Sequence, residues 1–300
     1  MSRTLLKAAL LTVMTTAATL ANAEDITIDT ATGPTTVPHA PKSVAVYDMG
    51  ALDMLDALGV EGISATSDTF LPYLSEYQSD IGTLFEPDFE ALNALSPDLV
   101  IAGGRSSTQV EALSKLAPTI DMTMWGDNLL DQTRARLATY GELFDKQDEA
   151  AALTAKLDEE IAATEAAVQG KGTALILLTN GGKVSAYGAG GRFGWIHSEI
   201  GLPEVIDGLE DTAHGESVSF EFIRETDPDW ILVLDRVAAI GGEGESAQAT
   251  LDNAIIADTK AAKAGHIVYL NAGGIYIAGG GIQSTLETLD IIKTAFGDNS

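Results

Sequence analysis

Residues 89–105 read FEALNALSPDLVIAGGR, and residues 220–236 read FEFIRETDPDWILVLDR. Set side by side without a gap, the stretches match Phe89 with Phe220, Glu90 with Glu221, Pro97 with Pro228, Asp98 with Asp229 and Arg105 with Arg236. Each begins with a short segment of helical spacing, turns at Pro-Asp, and continues as an apolar run of strand length. An arginine then stands at the carboxyl end of that run. A near-continuous apolar strand is buried on both faces, the mark of a parallel sheet covered by helices. In open α/β sheets, ligands collect beyond the carboxyl ends of the strands. The duplicated unit therefore predicts two sheets facing one another, with Arg105 and Arg236 directed into the cleft between them.

The same pattern extends outward in both directions. Ser43–Tyr47, Leu99–Ala102 and Thr119–Thr123 read as strands, interleaved with helices over Gly50–Leu58, Phe89–Leu95 and Thr108–Leu116. A second series gives strands at 174–178, 184–187, 230–234 and 267–270, with helices at 195–200 and 283–296. Between the two series, residues 146–169 hold no Gly or Pro and line Leu153, Leu157, Ile161 and Val168 along one side. A helix of that length runs about 36 Å, and Gly170-Lys171-Gly172 stops it. The expected architecture is α/β: two Rossmann-like lobes with small parallel sheets, residues 24–145 and 171–300, joined by one long backbone helix at 146–170.

The first residues carry an address. Arg3 and Lys7 precede an uncharged apolar stretch from Ala8 to Leu20, and Ala21-Asn22-Ala23 supplies a small-x-small cleavage pattern. Residues 1–23 are thus expected to be a signal peptide, too short in its apolar part to span a bilayer of about 30 Å. The chain contains no cysteine, so it has no disulfide, no thiolate metal site and no acceptor for a lipid after the cleavage point. A soluble periplasmic protein is expected. The formal net charge of −27, from 17 basic and 44 acidic residues, argues against nucleic acid or anionic lipid as a partner. It also makes every arginine that points inward informative.

Further motifs narrow the reading. Ser185-Ala-Tyr-Gly-Ala-Gly-Gly-Arg192-Phe-Gly, His214-Gly-Glu-Ser-Val-Ser and Val233-Leu-Asp-Arg236 join the Pro97-Asp-Leu-Val-Ile stretch and the long linker. Together they resemble the class III periplasmic binding proteins that serve ABC importers of ferric siderophores, haem and cobalamin. Within that class they are similar to the ferric-catecholate subgroup. The resemblance spans essentially the whole chain after the leader. It implies a monomeric carrier with no intrinsic cofactor, whose ligand is an Fe(III)-siderophore complex and whose partner is a permease dimer.

The resemblance also assigns residues. Arg105, Arg192 and Arg236 are expected to hold the anionic chelate, a task that suits guanidinium groups because they stay charged and present donors in a fixed plane. His214 and Tyr276 are expected to fill the two iron positions that a tetradentate bis-catecholate leaves open. Phenolate is a hard donor for ferric iron and imidazole a common ligand. Glycines on both sides of Tyr276 predict a tyrosine that swings in when ligand arrives. Glu90 and Glu221, equivalent in the repeat, are expected to meet arginines of the permease.

Two other readings compete. A haem or cobalamin carrier of the same fold would also use arginines. A periplasmic metal-dependent enzyme would need a nucleophile–base pair or a cluster of acidic and histidine ligands, and the spacing suggests neither. His39, His197 and His266 receive no role, and Trp125, Trp195 and Trp230 read as core or cleft-wall aromatics.

Overall fold

The computed structural model describes residues 25–124, 128–209 and 214–297. The leader at 1–23 and Trp125 lie outside the described residues. Strands β1 (Asp25–Thr30) and β2 (Gly33–Pro38) form an antiparallel hairpin. The first sheet comprises β3 (Val44–Val46), β4 (Ile63–Ala65), β5 (Leu99–Ala102) and β6 (Thr119–Asp121), in the order β4-β3-β5-β6 and parallel throughout. The second comprises β7 (Ala174–Asn180), β8 (Lys183–Tyr187), β9 (Glu216–Val218), β10 (Trp230–Asp235) and β11 (Ile267–Tyr269), in the order β11-β10-β7-β8-β9. Its β11-β10-β7 part is parallel, whereas β8 and β9 run antiparallel. The cause of this departure from a wholly parallel sheet is local. Gly181-Gly182 turns the chain back at once, so β8 pairs with its predecessor rather than crossing over.

The repeat seen in the sequence performs one mechanical job twice. Helix Phe89–Leu95 is capped by Asp88 and helix Phe220–Thr226 by Ser219, and both end on a left-handed residue, Ser96 and Asp227. After each Pro-Asp turn, the aspartate pins the start of the neighbouring strand. Asp98 accepts from the amides of Lys42 and Ser43 at 2.9 and 3.0 Å, just before β3. Asp229 accepts from the Thr173 amide at 2.9 Å, just before β7. The β5 and β10 strands then lie beside β3 and β7 in corresponding registers.

Alternation along these strands places side chains in two layers. Val44, Val46, Leu99 and Ile101 join an inner core shared with Ile176, Leu178, Leu232 and Leu234 of the second sheet. Ala45, Tyr47, Val100 and Ala102 face an outer cluster of the first sheet, and Leu175, Leu177, Ile231 and Val233 one of the second. The helix Gln147–Val168 crosses the inner core, burying Leu157, Ile161 and Val168. Helix Leu129–Leu143 packs on it through Arg134, which donates to Asp131 and Asp158 at 2.8 Å each. The C-terminal helix Ile282–Gly297 packs on its other side, where Thr164 donates to the Leu289 carbonyl and Lys293 pairs with Glu160.

That last helix also reaches back to the first sheet. Asp53, fully buried in helix Met49–Ala57, accepts from the Gln283 amide at 2.8 Å and the Ser284 amide at 3.0 Å. A buried carboxylate thus occupies the positive end of the helix, and the Tyr73 hydroxyl donates to it as well. No helix among the described residues is long and apolar enough to cross a membrane.

Candidate functional site

A cavity of about 600 Å³ opens where the two sheets present their carboxyl ends. Arg105, Arg192, His214 and Tyr276 all line it. Arg105 follows β5 in the turn Gly104–Gln109. Arg192 rides on the glycine loop after β8, which can fold tightly because a side chain at Gly194 would sit 2.0 Å from the Ala189 carbonyl oxygen. His214 is exposed, in the turn that leads to β9. Tyr276 belongs to a short π-helical turn, Gly273–Ile277. Arg236, the residue after β10, is absent from the cavity wall but reaches the tyrosine from behind.

The three arginines converge on that tyrosine. Arg105 donates to the Tyr276 carbonyl at 2.8 Å and to the Ile277 carbonyl at 3.4 Å. Arg192 donates to the same Tyr276 carbonyl, and its guanidinium carbon lies 4.4 Å from the ring centroid. Arg236 donates to the phenol oxygen at 3.1 Å and to Asn180 at 3.3 Å. One residue therefore ties the carboxyl ends of both sheets together. In this structure Tyr276 is seated among the arginines. Gly280, at a φ of +80°, permits the close approach behind it: an added side chain there would meet the Met124 methyl at 2.0 Å.

The electrostatics follow from this crowding. Burial pushes the Tyr276 phenol up, but the Arg236 hydrogen bond and the charges of Arg192, Arg236 and Arg105 outweigh it, holding the group below the ordinary phenol range. Arg192 is held below its usual value by burial and then by the neighbouring charge of Arg105. Among the described residues, none of the three arginines forms an ion pair with a carboxylate. In a chain with 44 acidic residues, such pairing would be easy to arrange. Two guanidinium groups on the cavity wall and a third reaching Tyr276, none of them ion-paired among the described residues, suit an anion rich in oxygen acceptors, even with Asp48 and Glu199 on the same wall.

The other candidates fall where their simplest chemistry predicts. Glu90 and Glu221 are exposed, each in the first turn of its repeat helix. His197 is buried with Nδ1 2.7 Å from the Leu202 carbonyl, and His266 stacks on Trp230 at 3.8 Å. Trp230 is core, while Trp195 is buried at the cavity wall. Among the described residues no three His, Asp or Glu side chains gather in a metal-holding group. Sequence reasoning missed Asp48 and Glu199, two acidic residues of the cavity wall. Asp48 was legible in principle, since it follows β3 as Arg105 follows β5. Glu199 carries no comparable signal.

Comparison with known proteins agrees with this fold. A family model described as periplasmic binding protein matches residues 44–272. The petrobactin-binding protein YclQ of Bacillus subtilis is 36% identical over 266 residues, covering 86% of this chain and 84% of the relative. Its crystal structure superposes with a TM-score of 0.84 at 32% identity, over 91% of this chain and 99% of that one. The ferric-anguibactin-binding protein FatB of Vibrio anguillarum is 31% identical, covering 89% of this chain and 87% of the relative. The periplasmic catecholate-siderophore binding protein VctP of Vibrio cholerae matches with a TM-score of 0.82 at 31% identity, over 90% of this chain and all of that one. With its duplicated strand–arginine unit and its long connecting helix, the chain belongs to the periplasmic binding protein family.

Proposed function

We propose that this protein captures a ferric siderophore of catecholate type in the periplasm and delivers it to the permease dimer of an ABC importer. The observation that carries the reading is the trio Arg105, Arg192 and Arg236, without an ion pair among the described residues and gathered on Tyr276, with Arg105, Arg192 and Tyr276 lining one cavity. A ferric catecholate spreads negative charge over several oxygens, and each hydrogen bond from a charged donor contributes roughly 1.5–3 kcal/mol. The siderophore specificities named for YclQ, FatB and VctP support the ligand class. In this reading His214 and Tyr276 complete the iron shell of a tetradentate chelate, and Glu90 and Glu221 dock the carrier. The working unit is a monomer of two lobes, residues 24–145 and 171–300, joined by the linking helix at 146–170. It is released by cleavage after Ala23 and carries no lipid.

The test is direct binding. Arg105→Ala combined with Arg236→Ala should weaken a ferric bis-catecholate at least tenfold, about 1.4 kcal/mol, as read by tryptophan quenching. Unchanged affinity in a variant with a native melting profile would remove the anion cavity from the account.

A further inference from the structure

The cavity wall carries one strongly exposed aromatic ring. Phe85, Phe193, Trp195 and Tyr276 all line it, but Phe193 and Trp195 are buried and Tyr276 is half-buried among the arginines. Phe85 is 59% exposed, the highest value for a large apolar side chain among the described residues. Apolar side chains scattered over a surface are ordinary, but this one is held in place. Its loop closes as a small hairpin: the Asp88 amide donates to the Ile81 carbonyl and the Thr83 amide to the Glu86 carbonyl, each at 2.9 Å. The Thr83 hydroxyl oxygen accepts from the amides of Phe85 and Glu86 at 3.3 and 3.0 Å. Gln109 donates to the Phe85 carbonyl at 3.2 Å, and it ends the turn Gly104–Gln109 that carries Arg105.

The arginines and this ring read different properties of a ligand. Guanidinium groups recognise oxygen acceptors and negative charge, and every anionic ferric chelate offers both. They do not separate a catecholate from an α-hydroxycarboxylate of equal charge. The two differ behind the donor oxygens, where a catecholate carries a flat aromatic ring. A protein ring set beside it gains from the burial of both surfaces and from offset or edge-to-face geometry. Phe85 is open to that contact, since no aromatic ring packs on it among the described residues. Hydrogen bonds already fix its backbone beside the Arg105 turn, so little backbone ordering is left to oppose binding.

We propose that Phe85 is a specificity-determining residue, whose ring packs on an aromatic ring of the bound chelate and ranks aryl chelates above non-aromatic ones of the same charge. The inference rests on the carrier reading above and deepens it. The arginines supply an attraction common to anionic chelates, and Phe85 supplies the preference among them. Its exposed ring becomes buried when an aryl chelate is seated.

The experiment compares a ferric bis-catecholate with a ferric bis(α-hydroxycarboxylate) of the same denticity and net charge, by tryptophan quenching. Phe85→Ala should weaken the bis-catecholate by about fivefold or more and the hydroxycarboxylate complex by less than about twofold. Phe85→Tyr, which keeps a ring, should stay within about twofold of wild type for both. Position 85 is exposed, so both variants should keep the wild-type melting profile. In wild type, the gallium(III) bis-catecholate, a diamagnetic stand-in for the ferric complex, should move the Phe85 ring protons in NMR spectra by its ring current. No loss or equal losses for the two chelates in Phe85→Ala overturn the role of Phe85 and leave the carrier reading intact. A Phe85→Tyr loss as large as that of Phe85→Ala, or ring protons that do not move, overturn it in the same way. So does slowed uptake by cells with unchanged affinity, which would assign Phe85 to the permease face. Where the hydroxycarboxylate complex binds too weakly to be ranked, Phe85→Tyr and the gallium shift decide. Failure of wild type to bind either chelate overturns both readings.

Discussion

Tyr276 draws three arginines to one residue. Its carbonyl takes donors from Arg105 and Arg192 and its phenol takes one from Arg236. The arginine field that holds the phenol below its ordinary range also favours the phenolate that ferric iron prefers. If His214 and Tyr276 complete the coordination shell, their removal matters most for a chelate that leaves positions open. His214→Ala with Tyr276→Phe should therefore weaken a tetradentate ferric bis-catecholate at least tenfold more than a hexadentate tris-catecholate. The charge-transfer band of the bound tetradentate complex should shift as well. Equal losses and an unmoved band would leave both residues as packing and surface groups. Arg105 and Arg236 were legible as candidates because each stands at a strand end, and Arg192 mainly through the family resemblance of its glycine-rich loop. The seating of Tyr276 was not, because glycines at 273, 274 and 279–281 permit many backbone paths and only tertiary contacts choose one.

Elements divided along similar lines. The repeat helices, the strands with continuous apolar runs and the helix at 147–168 announce themselves through spacing. Helix Leu129–Leu143 was missed because its buried positions include Thr133, Tyr140 and Gly141, and Asn128 before it enters in a left-handed conformation. The β1–β2 hairpin gives little signal in the sequence, since its Thr-rich faces bury only Ile28 and Val37. At this scale the joint between helices Met49–Ala57 and Ile282–Gly297 makes its own prediction. Burial raises the Asp53 carboxyl to about 7, against the hydrogen bonds from Tyr73, Gln283 and Ser284. The folded state therefore holds this proton more tightly than the unfolded chain, whose aspartate titrates near 4. The stability it contributes is full below that pH and is lost as pH rises toward 7, by no more than about 1.4 kcal/mol per pH unit for one proton. Urea unfolding of wild type and Asp53→Asn should show the wild type losing ground to the variant between pH 4 and 7. Parallel curves would mean that Asp53 keeps an ordinary titration in the fold.

The whole molecule presents Glu90 and Glu221 on equivalent helices of two related halves. Duplication of a unit is a simple way to offer a matched pair of charges to a two-fold partner, and exposed charges at a rim mainly set encounter rate and register. Glu90→Ala with Glu221→Ala should leave chelate affinity as it is while slowing uptake by cells severalfold. Normal uptake would take the docking role away from these residues.

The seat that Tyr276 occupies has a thermodynamic consequence for the carrier as a whole. The guanidinium groups are not idle in this structure, where each holds a peptide carbonyl or phenol oxygen. If these three arginines hold the chelate, loading is an exchange equilibrium, in which a chelate oxygen arrives as a peptide carbonyl or phenol oxygen departs. What is measured as affinity is the difference between two sets of charge-assisted bonds, smaller than a count of arginines implies. Chelates are ranked by how far their oxygens outdo a backbone carbonyl as acceptors, and a neutral complex with weaker acceptors has little with which to bid the arginines away.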